Sequence, residues 1–306
     1  GDGKVTQDRD VVLMRRKTDF GRYNCVQLDP GNNRGGLSIG AWIALPVYIS
    51  QIQLAPPVHW PHTLLGYILL VEYLTMSNFR FIHAADIHLD SPMHGIARYE
   101  GVPVDEFRMA TRKAFNNLLA AAIDRRVDFV VLAGDLFDGD WKDMSTGLYF
   151  ARSLGKLAAA RIPVYIAKGN HDAASIVTRE LPLPDNTFVF DHRKPQTFEI
   201  EELGVALHGR SFPKAQVTDD LATGYPPAIS GLFNIGVLHT ALTGHPPHAD
   251  YAPCSPDELA AKSYDYWALG HVHDHVVIRT DPHIVFPGNL QGRNIRETGV
   301  KGAVLV

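Results

Sequence analysis

Only two cysteines, Cys25 and Cys254, occur in 306 residues, and they stand far apart. That scarcity argues against a disulfide framework and makes a reduced cytosol, hence a cytoplasmic protein, the expectation. Neither thiol has the spacing of a zinc site. An excess of one charge is also missing. The formal net charge is -4, so no overall basic field advertises nucleic acid, although a local basic groove is compatible with that total. Long hydrophobic runs are missing too. The nearest, "LLGYILLVEYL" at 64–74, is short and carries Glu72, so no bilayer span and no membrane partner is expected. It also starts too far from Gly1 to be the core of a signal peptide. Internal repeats and low-complexity tracts are lacking.

What is present changes character near residue 76. Residues 1–75 are polar, then turn-rich ("DPGNNRGG"), then apolar pieces broken by Pro46, Pro56, Pro57 and Pro61, with no catalytic spacing. Met76 looks like a natural start just ahead of a first strand. Residues 1–75 are therefore read as an N-terminal extension of unknown role that is not necessarily native, and 76–306 as the functional domain. From residue 79 strands and helices alternate. "FRFIHAA", "VDFVVLA", "IPVYIAK", "NIGVLH", "DYWALG", "HIVFPG" and "GAVLV" read as strands. Residues 105–126 carry apolar residues at three- and four-residue steps and end in basic residues, predicting an amphipathic helix. "SPDELAAK" has Ser255 as helix cap, Pro256 at the first position and Glu258 three after the cap. Residues 187–212 alternate and turn at Gly204, predicting antiparallel strands. The alternation predicts a layered α/β fold with largely parallel sheet.

Fifteen histidines are more telling by placement than by number. Five polar clusters each follow an apolar strand: "DIH" (Asp86, His88), "GDLFD" (Asp135, Asp138), "GNHD" (Asn170, His171, Asp172), "LHT" (His239) and "GHVHD" (His271, His273). Ligands in α/β sheets bind beyond the carboxyl ends of strands. Asp86 and His88, like His271 and His273, are two apart, and at a strand end such pairs can project to the same side. Asp135 can bridge two cations about 4 Å apart, and Asn170 adds a neutral carbonyl oxygen. Oxygen and imidazole without thiolate suits Mn, Fe or Zn. Two carboxylates against two divalent ions leave a positive site suited to a hydroxide and a phosphodiester.

These motifs resemble the calcineurin-like metallophosphoesterase superfamily, whose D-x-H, G-D, G-N-H-D/E, H and G-H-x-H elements are all present over residues 79–306. "FIHAADIHLDSP", "GDLFD" and "FPGNLQGRNIRETGVKGAVLV" look like the SbcD-type DNA repair exonucleases. The resemblance implies a four-layer α/β/β/α sandwich and two metal ions, usually manganese. Asp86, His88, Asp135 and His273 would hold one; Asp135, Asn170, His239 and His271 the other. His171 would contact the phosphate or protonate the leaving oxygen, and Asp172 would orient it. The implied activity is hydrolysis of DNA phosphodiester bonds by an activated hydroxide. A phosphatase or cyclic-nucleotide phosphodiesterase of small esters is the alternative. DNA, an SMC-like ATPase subunit and a second copy in a homodimer are the implied partners. A C-terminal capping region, usual in that family, does not follow Val306.

Other residues carry smaller expectations. His83 is read as packed or backing a ligand. Asp138 either supports a metal-bound histidine or caps the next helix. Asp90 and His94 are read as a solvated loop, His208 as structural, and His245, His248, His275 and His283 as surface. Arg210, Arg293, Arg296 and Lys301 could neutralise DNA phosphates or simply be soluble surface.

Overall fold

Seven residues of unbroken apolar character at "VDFVVLA", bar one aspartate, become the central strand of a sheet buried on both faces, as parallel strands are. A computed structural model describes residues 78–91, 104–139, 143–175, 181–243, 251–294 and 296–306, with the side chains of 104–108 left aside. The expectations for residues 1–75, Met76, His94, His245 and His248 lie outside the described residues.

In chain order the strands are β1 (Phe81–Ala84), β2 (Phe129–Ala133), β3 (Val164–Ala167), β4 (Thr187–Val189), β5 (Gln196–Ile200), β6 (Val205–Gly209), β7 (Phe233–His239), β8 (Tyr266–Gly270), β9 (His275–Thr280), β10 (His283–Pro287) and β11 (Val304–Leu305). The helices are α1 (Val104–Asp124), α2 (Met144–Ala159), α3 (Asn170–Ala174) and α4 (Pro256–Ala261). They form two mixed sheets, ordered β11-β1-β2-β3-β4 and β5-β6-β7-β8-β10-β9. The inner strands of both are parallel, and antiparallel pairing is confined to the β1–β11, β5–β6 and β9–β10 contacts. The antiparallel expectation for 187–212 therefore holds for β5 and β6 only, because β4 leaves to pair in parallel with β3 in the other sheet.

The sheets face each other across a dry layer in which Phe81, Phe129, Val131 and Tyr165 of the first meet Leu207, Ile235, Val237 and Tyr266 of the second. Phe81 and Phe129 stack with ring centroids 4.8 Å apart, an arrangement worth about 0.5–1.5 kcal/mol beyond burial. On the outside of the first sheet lie Phe115, Leu118 and Leu119 of α1 and Phe150, Leu154 and Leu157 of α2. On the outside of the second lie Leu259 of α4 and the irregular stretch carrying Phe212, Leu221 and Tyr225. The layers thus run α/β/β/α, as expected, with the last layer largely irregular among the described residues.

Local signals act where the sequence placed them. Ser255 Oγ accepts from Glu258 N while Glu258 caps Ser255 N, starting α4. Asp143 caps α2 by accepting from Ser145 N, so that role does not fall to Asp138. α1 ends at Asp124, two residues earlier than the pattern suggested, and Arg125 and Arg126 follow it in a turn with Arg126 at φ 52°.

Candidate metal centre

The carboxyl ends of β1, β2, β3, β7 and β8 bring the five polar clusters together. Asp86, His88 and His273 offer ligand atoms within 4.8 Å of one another, and so do Asp135, His239 and His271. Asp135 lies between the groups: its Oδ2 is 3.8 Å from His88 Nε2 and 3.3 Å from His239 Nε2. Asn170 Oδ1 sits 3.1 Å from His239 Nε2, which joins it to the second group. His273 Nε2 is 3.7 Å from Asp86 Oδ1.

Strand alternation is not what aims these ligands. Asp86, His88, Asp135 and His271 have φ of 51°, 43°, 51° and 104°. Single left-handed residues of this kind are sparse outside functional sites and cost about 1–3 kcal/mol each. The chain has left the extended form at each of these four residues, and hydrogen bonds hold the turns. Asp86 N donates to Gly134 O and His88 N to Asp135 O, while Asp86 Oδ2 accepts from His271 N. The motif glycines leave room. Gly134 has φ 96°, and a methyl group there would come within 2.4 Å of His239 Nδ1. A methyl on Gly270 would meet Ala133 O at 1.9 Å.

The residues fit divalent cations. Asp86 Oδ1 and His88 Nε2 are buried without a hydrogen-bond partner, a cost of about 1–3 kcal/mol each that coordination would offset. The distal nitrogens of three of the histidines are already engaged, which fixes the ring tautomer. His88 Nδ1 meets Asp138 Oδ1 at 2.8 Å, His273 Nδ1 meets Glu297 Oε1 at 2.9 Å, and His239 Nδ1 donates to Ala133 O at 2.9 Å. Burial pushes His88 below its ordinary pKa against the pull of Asp138, keeping the ring neutral as a ligand must be. Burial opposes the charged forms of Asp135 and His239, but their mutual attraction wins. Asp135 stays ionised well below the usual range, and His239 is raised to about 9. A cation held by the pair would take the place of that proton.

Asp138 supports a ligand rather than capping a helix. Its Oδ1 also accepts from Arg293 Nη2 at 2.9 Å and stands 3.7 Å from His171 Nδ1. His171 is 40% exposed at the side chain and accepts at Nδ1 from Gly139 N at 3.3 Å. The expectation that Asp172 orients His171 meets a different arrangement. Asp172 is buried, and its oxygens accept from Leu136 N, Phe137 N and Gly169 N at 2.9–3.1 Å, tying the second and third loops together. Burial and the neighbouring Asp135 charge raise its carboxyl to about 7, against the pull of those N–H groups. The groups beside His171 Nδ1 are Gly139 and Asp138.

Other expectations shift as well. Asp90 is not in a solvated loop: it is buried, paired with Arg112 and hydrogen-bonded by Thr146. His283 is buried rather than at the surface. His83 joins the two sheets, with Nδ1 3.0 Å from Tyr266 Oη and Nε2 3.0 Å from Leu269 O, and burial lowers it to about 3. His208 is structural, held between Thr197 and Asn234 and stacked on Tyr264. Arg293, Lys301 and Arg210 spend their donors inside the protein, on Asp138 and Ser91, on His273 O, and on the carbonyls of His192 and Arg193. Glu297 and Asn289 were not singled out by sequence; their only signal was their place in the quoted tail "FPGNLQGRNIRETGVKGAVLV".

Residues 79–275 match the family described as Calcineurin-like phosphoesterase. The chain belongs to the calcineurin-like phosphoesterases. These are dimetal hydrolases, and the two ligand groups around Asp135 agree with that. The chain is 34% identical over 235 residues to the uncharacterized metallophosphoesterase YhaO of Bacillus subtilis, covering 76% of this chain and 58% of that protein. It is 26% identical over 212 residues to the DNA double-strand break repair protein Mre11 of Sulfurisphaera tokodaii, covering 67% of this chain and 52% of that protein. The chain therefore spans about half the length of the curated relatives it matches. Among solved structures, a dimetal phosphatase from Danio rerio covers 69% of this chain and 88% of its own at 11% identity and a TM-score of 0.43. The fold assignment rests on the two sheets themselves. No described helix is long and apolar enough to cross a membrane.

Proposed function

We propose that this phosphoesterase hydrolyses DNA phosphodiester bonds as an SbcD-type nuclease. Asp86, His88, Asp135 and His273 would hold one cation, and Asp135, Asn170, His239 and His271 the other. The observation that carries the hydrolytic reading is the convergence of those seven side chains, with Asp135 in hydrogen-bonding or ion-pair range of a histidine in each group. The relatives named as DNA double-strand break repair proteins and the P-G-N, Q-G-R, K-G tail support DNA over other esters. Manganese suits the oxygen and imidazole set. An SMC-like ATPase and a second copy of the chain are the partners proposed with that reading, and the cytoplasm the compartment.

Two bound divalent cations supply a water acidic enough to ionise near neutrality and charge to stabilise the attacked phosphate. The protein does the rest by placement. Asp135 is fixed to the third loop because its Oδ1 accepts from His171 N at 3.0 Å, so its other oxygen faces the histidines. Gly139 N–H makes Nδ1 of His171 an acceptor, which leaves the ring proton on Nε2. From there the half-exposed ring can donate a hydrogen bond to the phosphate or to the leaving sugar oxygen, while water supplies the proton that oxygen takes up.

A second reading, a phosphatase of small esters, draws on the engaged state of Arg210, Arg293 and Lys301, which leaves fewer described cations for a DNA backbone. One panel separates the two: linear duplex DNA, single-stranded DNA, bis-p-nitrophenyl phosphate and small monoesters, each with manganese. Cleavage of DNA and of the diester is expected. Turnover of the monoesters alone overturns the nuclease reading.

A further inference from the structure

The segment after β10 turns back onto one half of the metal centre. Glu297 Oε1 lies 2.9 Å from His273 Nδ1 and also accepts from Asn294 Nδ2 at 2.9 Å. Its Oε2 accepts from Asn289 Nδ2 at 2.8 Å and from Arg293 N at 2.6 Å. Four donors thus lock the carboxylate in place. Arg293 reaches further. Its Nη2 donates to Asp138 Oδ1 at 2.9 Å, and that same oxygen holds His88 Nδ1 at 2.8 Å. Lys301 Nζ donates to His273 O at 2.8 Å. His88 and His273 belong to the same ligand group, with Asp86. In the other group, His239 rests on the backbone carbonyl of Ala133, and no part of the tail touches it in any of these bonds.

We propose that residues 289–294 and 296–301 supply a positioning clamp for one of the two metal positions, in which Glu297 sets His273 directly and Arg293 sets His88 through Asp138. This rests on the metal assignment of the preceding section. An imidazole can ligate through Nε2 only when its proton is on Nδ1, and a carboxylate at Nδ1 enforces that tautomer and aims the ring. Arg293 and Lys301 offset the two carboxylates in charge, so the clamp acts through tautomer and orientation. It touches neither substrate nor cation; its residues are positioning residues.

The test is a titration of metal-free protein with Co2+, followed by visible absorbance and by elemental analysis of the washed protein. Wild type is expected to take up two equivalents. In Glu297→Gln an amide N–H must face either His273 Nδ1 or the Asn289 and Arg293 donors. Facing His273, it draws the ring proton onto Nε2. One equivalent should then bind about 10–100-fold more weakly, and the absorbance lost should match that lost in His273→Ala, not in His239→Ala. Arg293→Met should weaken the same equivalent. Unchanged affinity for both equivalents in both variants overturns the clamp while leaving the dinuclear reading intact. So does loss of the His239 signature instead. If wild type takes up no cation, the metal reading fails and the clamp with it. Should Glu297→Gln lose its far-ultraviolet circular dichroism, Arg293→Met decides alone, because that side chain lies at the solvent edge with 22% exposure.

Discussion

Gly270→Ala would place a methyl group where the two sheets touch beside the metal centre. The new carbon would lie 1.9 Å from Ala133 O and 2.9 Å from His239 Nδ1. A carbon and a carbonyl oxygen rest about 3.4 Å apart, so β2 and β8 must separate locally by about 1.5 Å. Overpacking of this kind costs about 1–3 kcal/mol, occasionally more. The same movement breaks the 2.9 Å bond from His239 Nδ1 to Ala133 O, worth about 1 kcal/mol. A total of about 2–4 kcal/mol is expected, out of the 5–15 kcal/mol typical of a folded protein. Urea unfolding of the metal-free protein measures it. Gly155→Ala in α2 is the control: nothing lies within 4 Å of the added carbon, and mid-helix alanine should stabilise by about 0.5–1 kcal/mol. A loss below about 1 kcal/mol at Gly270 refutes the idea that the sheets are in hard contact at the site.

Three further outcomes are expected. Asp135→Asn removes the carboxylate shared by both ligand groups, so hydrolysis should vanish and the bound metal per chain should fall; elemental analysis at wild-type occupancy would contradict the bridging role. His171→Gln should lose rate while keeping both ions, and a missing equivalent would make His171 a ligand instead. His83 is neutral in the fold, with a pKa near 3 against 6.5 in the unfolded chain. The unfolded state therefore binds the extra proton between those values, and stability is full above about pH 6.5 and declines as pH falls towards 3. The decline attributable to this group is up to about 5 kcal/mol, and His83→Gln should flatten it; identical pH slopes for the two proteins would disprove the burial argument.

The candidate metal-binding clusters were legible because their chemistry is carried by short motifs at strand ends, and strand ends could be read from apolar runs. Their geometry was not. Two-residue spacing suggested alternation along a strand, whereas Asp86, His88 and His271 reach the site from left-handed turns that only tertiary hydrogen bonds sustain. Residues that support ligands were the least visible. Asp138 stands in a motif and was open to two readings, which its 2.8 Å contact with His88 decides. Glu297 lies 24 positions from His273, and their pairing depends on a chain reversal that periodicity does not encode. Arg293 shows the reverse error: a cation in a tail suggests phosphate binding, and its partner is an aspartate from a loop 155 positions earlier. Asp90 was misjudged for the same reason, because its neutralising Arg112 sits on α1. The mixed order of the sheets was also out of reach, since β4 and β5 are neighbours in sequence and part to different sheets.

The ligands divide across the seam between the sheets. Asp86, His88, Asp135 and Asn170 follow strands of one, and His239, His271 and His273 follow strands of the other. The hydrogen bond from His271 N to Asp86 Oδ2 spans 185 positions. A chain emerging from the ribosome thus carries only part of each ligand group long before the rest exists. If those seven side chains hold the cations, neither ligand set is complete until synthesis has passed the second sheet and the two sheets have closed on each other.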